Sequence, residues 1–176
     1  MNYKSLKKQL GFTLVEVGIV VAVVLLLLSG VIGAQRIIAG TKVNDEVGEL
    51  KTVATSVQKI YSSDPTFATA TLTQILALKG LPNARVASAT TAANRWGGAI
   101  TIVPATINTA NDAMLMTTNA VPEYECVNVV PQAEAAFARI SVAGTDVKAA
   151  GGVLNKTTLG TQCAGGNVAI AYYFTK

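Results

Sequence analysis

The chain has 176 residues with 14 Lys and Arg against 10 Asp and Glu, and only 14% of its side chains are charged. This apolar composition, rich in small residues, excludes a disordered chain. Lys4, Lys7 and Lys8 carry much of the +4 formal charge and no acid precedes Glu16, so the remainder is nearly neutral and has no electrostatic case for nucleic-acid binding. There is no histidine and there are only two cysteines, which argues against His-based acid–base chemistry and a structural metal centre. The length suits one globular domain plus an anchor.

The first element is "KKQLGFTLVEVGIVVAVVLLLL". Residues 12–34 hold no Lys or Arg, and at 1.5 Å per residue they reach about 35 Å, enough to cross a hydrocarbon core of ~30 Å. The lysines before it orient that end to the cytoplasm. An ordinary secretory signal fits less well, because its apolar region is shorter and ends at an A-x-A-like site. One carboxylate, Glu16, lies inside the apolar run. A charge in hydrocarbon costs several kcal/mol, so such an acid is expected to be functional and to have a partner.

From Arg36 to Tyr61 the pattern changes. Val43, Val47, Leu50, Ala54, Val57 and Tyr61, widened by Val53 and Ile60, form a stripe opposite Lys, Asp, Glu and Gln, the pattern of an amphipathic helix. No proline interrupts residues 12–61, so a single helix of ~75 Å is expected, apolar all round in its first half and one-sided in its second. Gly30, Gly33 and Gly40 weaken it by roughly 0.8–1.0 kcal/mol each relative to Ala. They read either as close-packing positions or as a zone that loses helical order when subunits pack together.

Beyond Tyr61, "SSDP" is a turn-rich exit. "TLTQILALKG" predicts a short helix capped by Thr71 and stopped at Gly80. "LPNARVASATTAANRWGG" reads mostly as loop, with Trp96 capping a core. "AITIVPA" and "AMLMTT" predict a hairpin, "VPEYECVNVV" a helix beginning near Pro122, "ARISVAGTDV" a strand entering a turn at Gly144, and "NVAIAYYFT" a final strand. The resulting fold class is α+β, with an antiparallel sheet packed on the long helix. Glu123, Glu125 and Glu134 read as a solvated face and the paired glycines as turns. Asp112 and Asp146 are too isolated for a calcium loop, and "NKT" at Asn155 reads as a chance match to a glycosylation sequon. Cys126 and Cys163 lie past the apolar segment; an even count in an exported region favours a disulfide worth about 4 kcal/mol, the alternative being two buried thiols.

The basic leader, Gly11, Phe12, Thr13, Leu14, Val15 and Glu16, followed by an apolar run extending into an amphipathic helix, resembles the class III signal of type IV prepilins. The resemblance implies cleavage between Gly11 and Phe12 by a prepilin peptidase that also methylates the new amine. It implies that Glu16 pairs with the amine of an adjacent subunit, with Thr13 joining the same cluster. Such pairing relieves two charges that are costly alone in a low dielectric, and it selects one axial register. "WGGAITI", "VPEYECVNVV", "ARISVAGTDV" and "TQCAGGNVAIAYYFT" resemble the C-terminal part of type IVb pilins, bundlin-like and thin-conjugative-pilus pilins in particular. There a cysteine on a helix pairs with one before the last strand, the places of Cys126 and Cys163. The short leader and Phe12 lean instead toward the type IVa pattern.

The expected organisation is therefore a leader over 1–11, a long helix over 12–61 (12–34 transmembrane and filament core, 35–61 amphipathic) and a head over 62–176 with a disulfide-bounded region 126–163. The expected function is the major subunit of a type IV pilus used for adhesion, aggregation or conjugative contact. No enzymatic activity, cofactor, metal or nucleic acid is expected. The expected partners are other pilin subunits, the prepilin peptidase and N-methyltransferase, the pilus assembly machinery and, before assembly, the bacterial inner membrane. The alternatives are a minor pilin, a type II secretion pseudopilin and, from another class, a membrane-tethered periplasmic binding domain that needs no special Glu16.

Overall fold

The computed structural model describes residues 13–176, the side chains of 28–39 excepted. Helix α1 covers Leu14–Ile60, continuous through Gly30, Gly33 and Gly40. The chain divides into two compact units, residues 1–39 and 40–176, so the second part of α1 belongs with the globular fold. The stripe read from the sequence is its buried face. Val43, Val47, Leu50, Val53, Ala54, Val57 and Tyr61 all lie in the hydrophobic core, with Ile60 packed at its margin. The helix ends in successive turns, Ser62 N–H donating to Lys59 O and Asp64 N–H to Tyr61 O, and Pro65 follows.

The remaining elements are α2 (Leu72–Ala77), β1 (Ala92–Ala93), β2 (Ala99–Ala105), β3 (Ala113–Val121), α3 (Glu123–Ala133), β4 (Arg139–Val142), β5 (Thr145–Lys148), α4 (Lys156–Cys163) and β6 (Val168–Thr175). The six strands make one sheet in the order β1-β2-β3-β6-β4-β5, every neighbouring pair antiparallel. Alternation decides which face is buried. Ile100 and Ile102 of β2, Met114 and Met116 of β3, Ile140 and Val142 of β4, and Val168, Ile170, Tyr172 and Phe174 of β6 all enter the core. Phe137, just before β4, packs its ring 4.9 Å from Tyr172 and 6.2 Å from Phe174.

The hairpin of β2 and β3, the helix after Pro122 and the last strand match the elements expected. The segment read as one strand entering a turn is a hairpin, β4–β5, closed by Ala143 (φ 49°) and Gly144 (φ 81°). Two central residues with positive φ give the twist that a two-residue hairpin loop needs. The segment read as loop holds a 3-10 turn at Asn83–Arg85 and the short β1. Helix α4 was not anticipated. Its cap is Asn155, whose side chain accepts from Thr158 N–H at 3.0 Å, so the asparagine of "NKT" serves as a helix cap.

Three acids read as solvated or isolated have defined structural partners. Asp112 accepts from the backbone N–H groups of Ile107, Asn108 and Thr109, and these bonds hold its carboxyl below the usual range. Asp146 pairs with Arg139 at 2.9 Å and accepts from Ser141. Glu134 is half-buried and accepts from Leu154 N–H at 2.9 Å, tying the end of α3 to the segment before α4.

Candidate functional site

The first turn of α1 carries the residues that the sequence marks for assembly. Gly11 and Phe12 lie outside the described residues. Thr13 stands immediately before the helix; its N–H and its hydroxyl each donate to Glu16 Oε2 at 3.1 Å, and Glu16 N–H donates back to Thr13 Oγ1 at 3.3 Å. This reciprocal pair is a capping box, T-x-x-E, which satisfies helix N–H groups that have no intrahelical acceptor. Thr13 and Glu16 are thus brought together, and both are exposed. So are the apolar side chains that follow, from Leu14 (89% exposed) to Leu27 (66%). Among the described residues no helix is long and apolar enough to cross a membrane. The apolar run with described side chains, 14–27, reaches about 21 Å.

The second constellation is covalent. Cys126 on α3 and Cys163 at the end of α4 form a disulfide with a Cα–Cα distance of 5.8 Å, and both residues are fully buried. On α4 only Leu159 and Cys163 are buried, four residues apart on one face; the bond pins this short helix to α3.

A third constellation was not found from the sequence. Asp45, Glu46 and Glu49 occupy one side of α1 and receive Arg85 and Arg95 from the segment between α2 and β2. Arg85 Nε lies 2.5 Å from Glu49 Oε2 and its Nη2 3.5 Å from Glu46 Oε2. Arg95 Nη1 lies 3.2 Å from Asp45, its Nε 3.8 Å from Glu46, and its Nη2 also pairs with Glu49. Glu46 is only 2% exposed. Burial pushes its carboxyl above the usual range and the nearby Glu49 adds to this, while Arg85 and Arg95 pull it down. The buried Tyr172 hydroxyl is held far above its ordinary value by burial and by the Glu46 charge, so it stays neutral.

Arg95 is aimed by the turn around it. Asn94, 5% exposed, donates from Nδ2 to Asn119 O at 2.6 Å, and its Oδ1 accepts from Trp96 N–H (3.0 Å) and Gly98 N–H (2.8 Å). Gly98 presses so closely on β3 that an added Cβ would lie 1.7 Å from Asn119 O. Trp96, inside this turn, packs against the core. The acids share one helix turn in sequence, but the arginines come from residues far along the chain, and no local pattern announces that pairing. Buried ion pairs contribute little net stability against a hydrophobic alternative; this cluster fixes where the 80–98 segment sits on α1.

Among the described residues no group of His, Cys, Asp and Glu could hold a metal ion. The described residues form a capped, exposed apolar helix start, a cross-linked pair of helices and a charged clasp, the equipment of a scaffold. No curated protein matches the sequence. The solved structure described as a type IVb pilin from Salmonella typhi superimposes with a TM-score of 0.61 at 18% identity, covering 76% of this chain and 99% of that one. TcpA, a type IV pilin from Vibrio cholerae El Tor biotype, gives 0.57 at 18% identity, over 77% and 99%. Residues 41–175 match the family described as PilS N terminal. The role that goes with this family is that of a pilin, a structural subunit of a pilus and not an enzyme. The chain belongs to the PilS N terminal family and carries the fold of type IVb pilins.

Proposed function

We propose that this pilin is the major subunit of its pilus and that it reaches the filament by the prepilin route. Residues 1–11 are removed by a prepilin peptidase, and Phe12 becomes the methylated N-terminus. Residues 12–34 hold the subunit in the inner membrane, and the assembly machinery then transfers it to an extracellular filament whose core these residues form. The observation that carries the reading is the family match across residues 41–175. It is joined through α1 to a helix start with Glu16 five residues after Gly11. The apolar character of residues 12–34, in which Glu16 is the one charged side chain, supports the membrane stage.

Glu16 takes the role of register-setting acid. Its carboxylate is held at the start of α1 by Thr13, the residue that follows Phe12 in the sequence. An acid placed there on one subunit can receive the amine of the next. The head, residues 62–176, forms the outer surface, with region 126–163 exposed on it. Adhesion, aggregation or conjugative contact then belongs to the assembled surface. The test is the mass of the N-terminal peptide from sheared filaments. A peptide beginning at Phe12 with one added methyl is expected, as the dominant protein of the preparation. An intact Met1 terminus would make the tethered-domain reading the better one, and scarcity in the filaments would make this a minor pilin.

A further inference from the structure

The end of α2 carries an anomaly. Gly80 N–H donates to Ile75 O at 2.8 Å and Lys79 N–H to Leu76 O at 3.1 Å, the paired bonds of a Schellman helix stop. The left-handed position of that motif normally takes glycine or asparagine. Here it takes Lys79, at φ 58°, a conformation that side chains with a Cβ rarely adopt. Gly80 comes one residue later, where the sequence alone suggests the stop. Lys79 is exposed, and among the described residues no ion pair engages it. Beside it Leu78 is 59% exposed. Together with Lys59 of α1 they border a shallow groove between α1 and the α2 stop.

A site of the opposite sign lies elsewhere on the same unit. Helix α3 opens with Glu123, Tyr124 and Glu125; Tyr124 is 48% exposed, and no ion pair among the described residues engages either acid. Helix α2 packs against β2, whereas α3 packs against β6 and α4, and β3 separates β2 from β6 in the sheet. Both sites combine two like charges with one exposed large side chain, and their charges are complementary.

We propose that the Lys59–Leu78–Lys79 groove docks the Glu123–Tyr124–Glu125 turn of a second copy of this chain. Tyr124 enters the groove beside Leu78 while the lysines face the two acids. Because the halves are different patches of one molecule, the contact is heterologous, and repetition continues it into an open helical array. The inference rests on the filament reading above and specifies which surfaces of the globular units meet. Charge complementarity here sets register and rejects wrong pairings, and it makes the contact sensitive to salt.

The test uses the full chain in cells that assemble it, with sheared-filament yield and thermal midpoint as readouts. Lys59→Glu with Lys79→Glu, and separately Glu123→Lys with Glu125→Lys, are each expected to lower yield about tenfold or more by placing like charges together. Combining all four should restore it. Lys79→Gly is the decisive variant: relief of the left-handed lysine raises the thermal midpoint, while yield falls. Unchanged yield in Lys79→Gly, or no recovery in the fourfold variant, overturns the proposal. A wild-type chain that retains Met1 and forms no filaments overturns the filament reading itself, a distinct result.

Discussion

Removing the Cys126–Cys163 bond offers the most direct check on how this fold is held together. The two residues are 37 apart in sequence, and closing a loop of that length in the unfolded chain removes conformational entropy worth about 4 kcal/mol at 25 °C. Within the loop, β4 pairs with β6 and with β5, so most of its native contacts survive without the cross-link and the loss falls chiefly on the unfolded state. Both sulfurs are buried, so alanine at each position removes a small volume without exposing a polar group. The double variant Cys126→Ala, Cys163→Ala is expected to lose about 4 kcal/mol in urea unfolding and about 8–16 °C in thermal midpoint. Reduction of the wild-type chain should give the same loss. A loss under about 1 kcal/mol, with an unchanged denaturant slope, would refute the entropic argument.

Three further outcomes follow from the geometry. Glu46 has its folded pKa raised above the ordinary 4.5, chiefly by burial. The folded state therefore binds this proton more readily than the unfolded state, and stability falls as pH rises from that value through the folded pKa. Glu46→Gln, which leaves Arg85 and Arg95 on Glu49 and Asp45, should be more stable than wild type at pH 8 and nearly equal at pH 4; lower stability at pH 8 in urea titrations would contradict this. Gly98→Ala forces a Cβ to 1.7 Å from a backbone oxygen and should cost about 3 kcal/mol, read by thermal unfolding, whereas Gly160→Ala, with open space around it, should not. Glu16→Ala should insert into the membrane yet give few filaments. Glu16→Gln separates the two roles, because glutamine keeps the capping-box acceptor and loses only the charge: wild-type filament yield from it would reduce Glu16 to a helix cap.

The sequence was most readable where burial is periodic. The stripe from Val43 to Tyr61 and the alternation in "VAIAYYFT" report which face is covered, because each face meets one continuous core. The start of α3 was equally visible, since Pro122 suits the residue before a helix. Three short elements were hidden for a physical reason. β1 and β5 are edge strands of two and four residues, too short to show alternation, and α4 buries only two side chains. The clasp of Asp45, Glu46 and Glu49 with Arg85 and Arg95 was hidden because tertiary structure alone brings those residues together. Its buried member looked like any acid on a polar helix face. At the candidate assembly site the order is reversed: Gly11, Phe12 and Glu16 stand out in the sequence, while the structure adds the bond that Thr13 makes to the acid.

The position of β6 has a consequence for how the molecule is made. This strand is the last element in sequence, yet it lies between β3 and β4, so until Val168–Thr175 arrives the sheet exists only as two separate fragments. Chains emerge N-terminal end first, and pairings so distant in sequence form slowly. An incomplete chain would therefore expose two open strand edges and an unfilled core. Both cysteines precede β6 in sequence, so the cross-link can close while the sheet is still open. Oxidation then has a timing role: it can hold α3 and α4 together before the final strand enters the gap between β3 and β4.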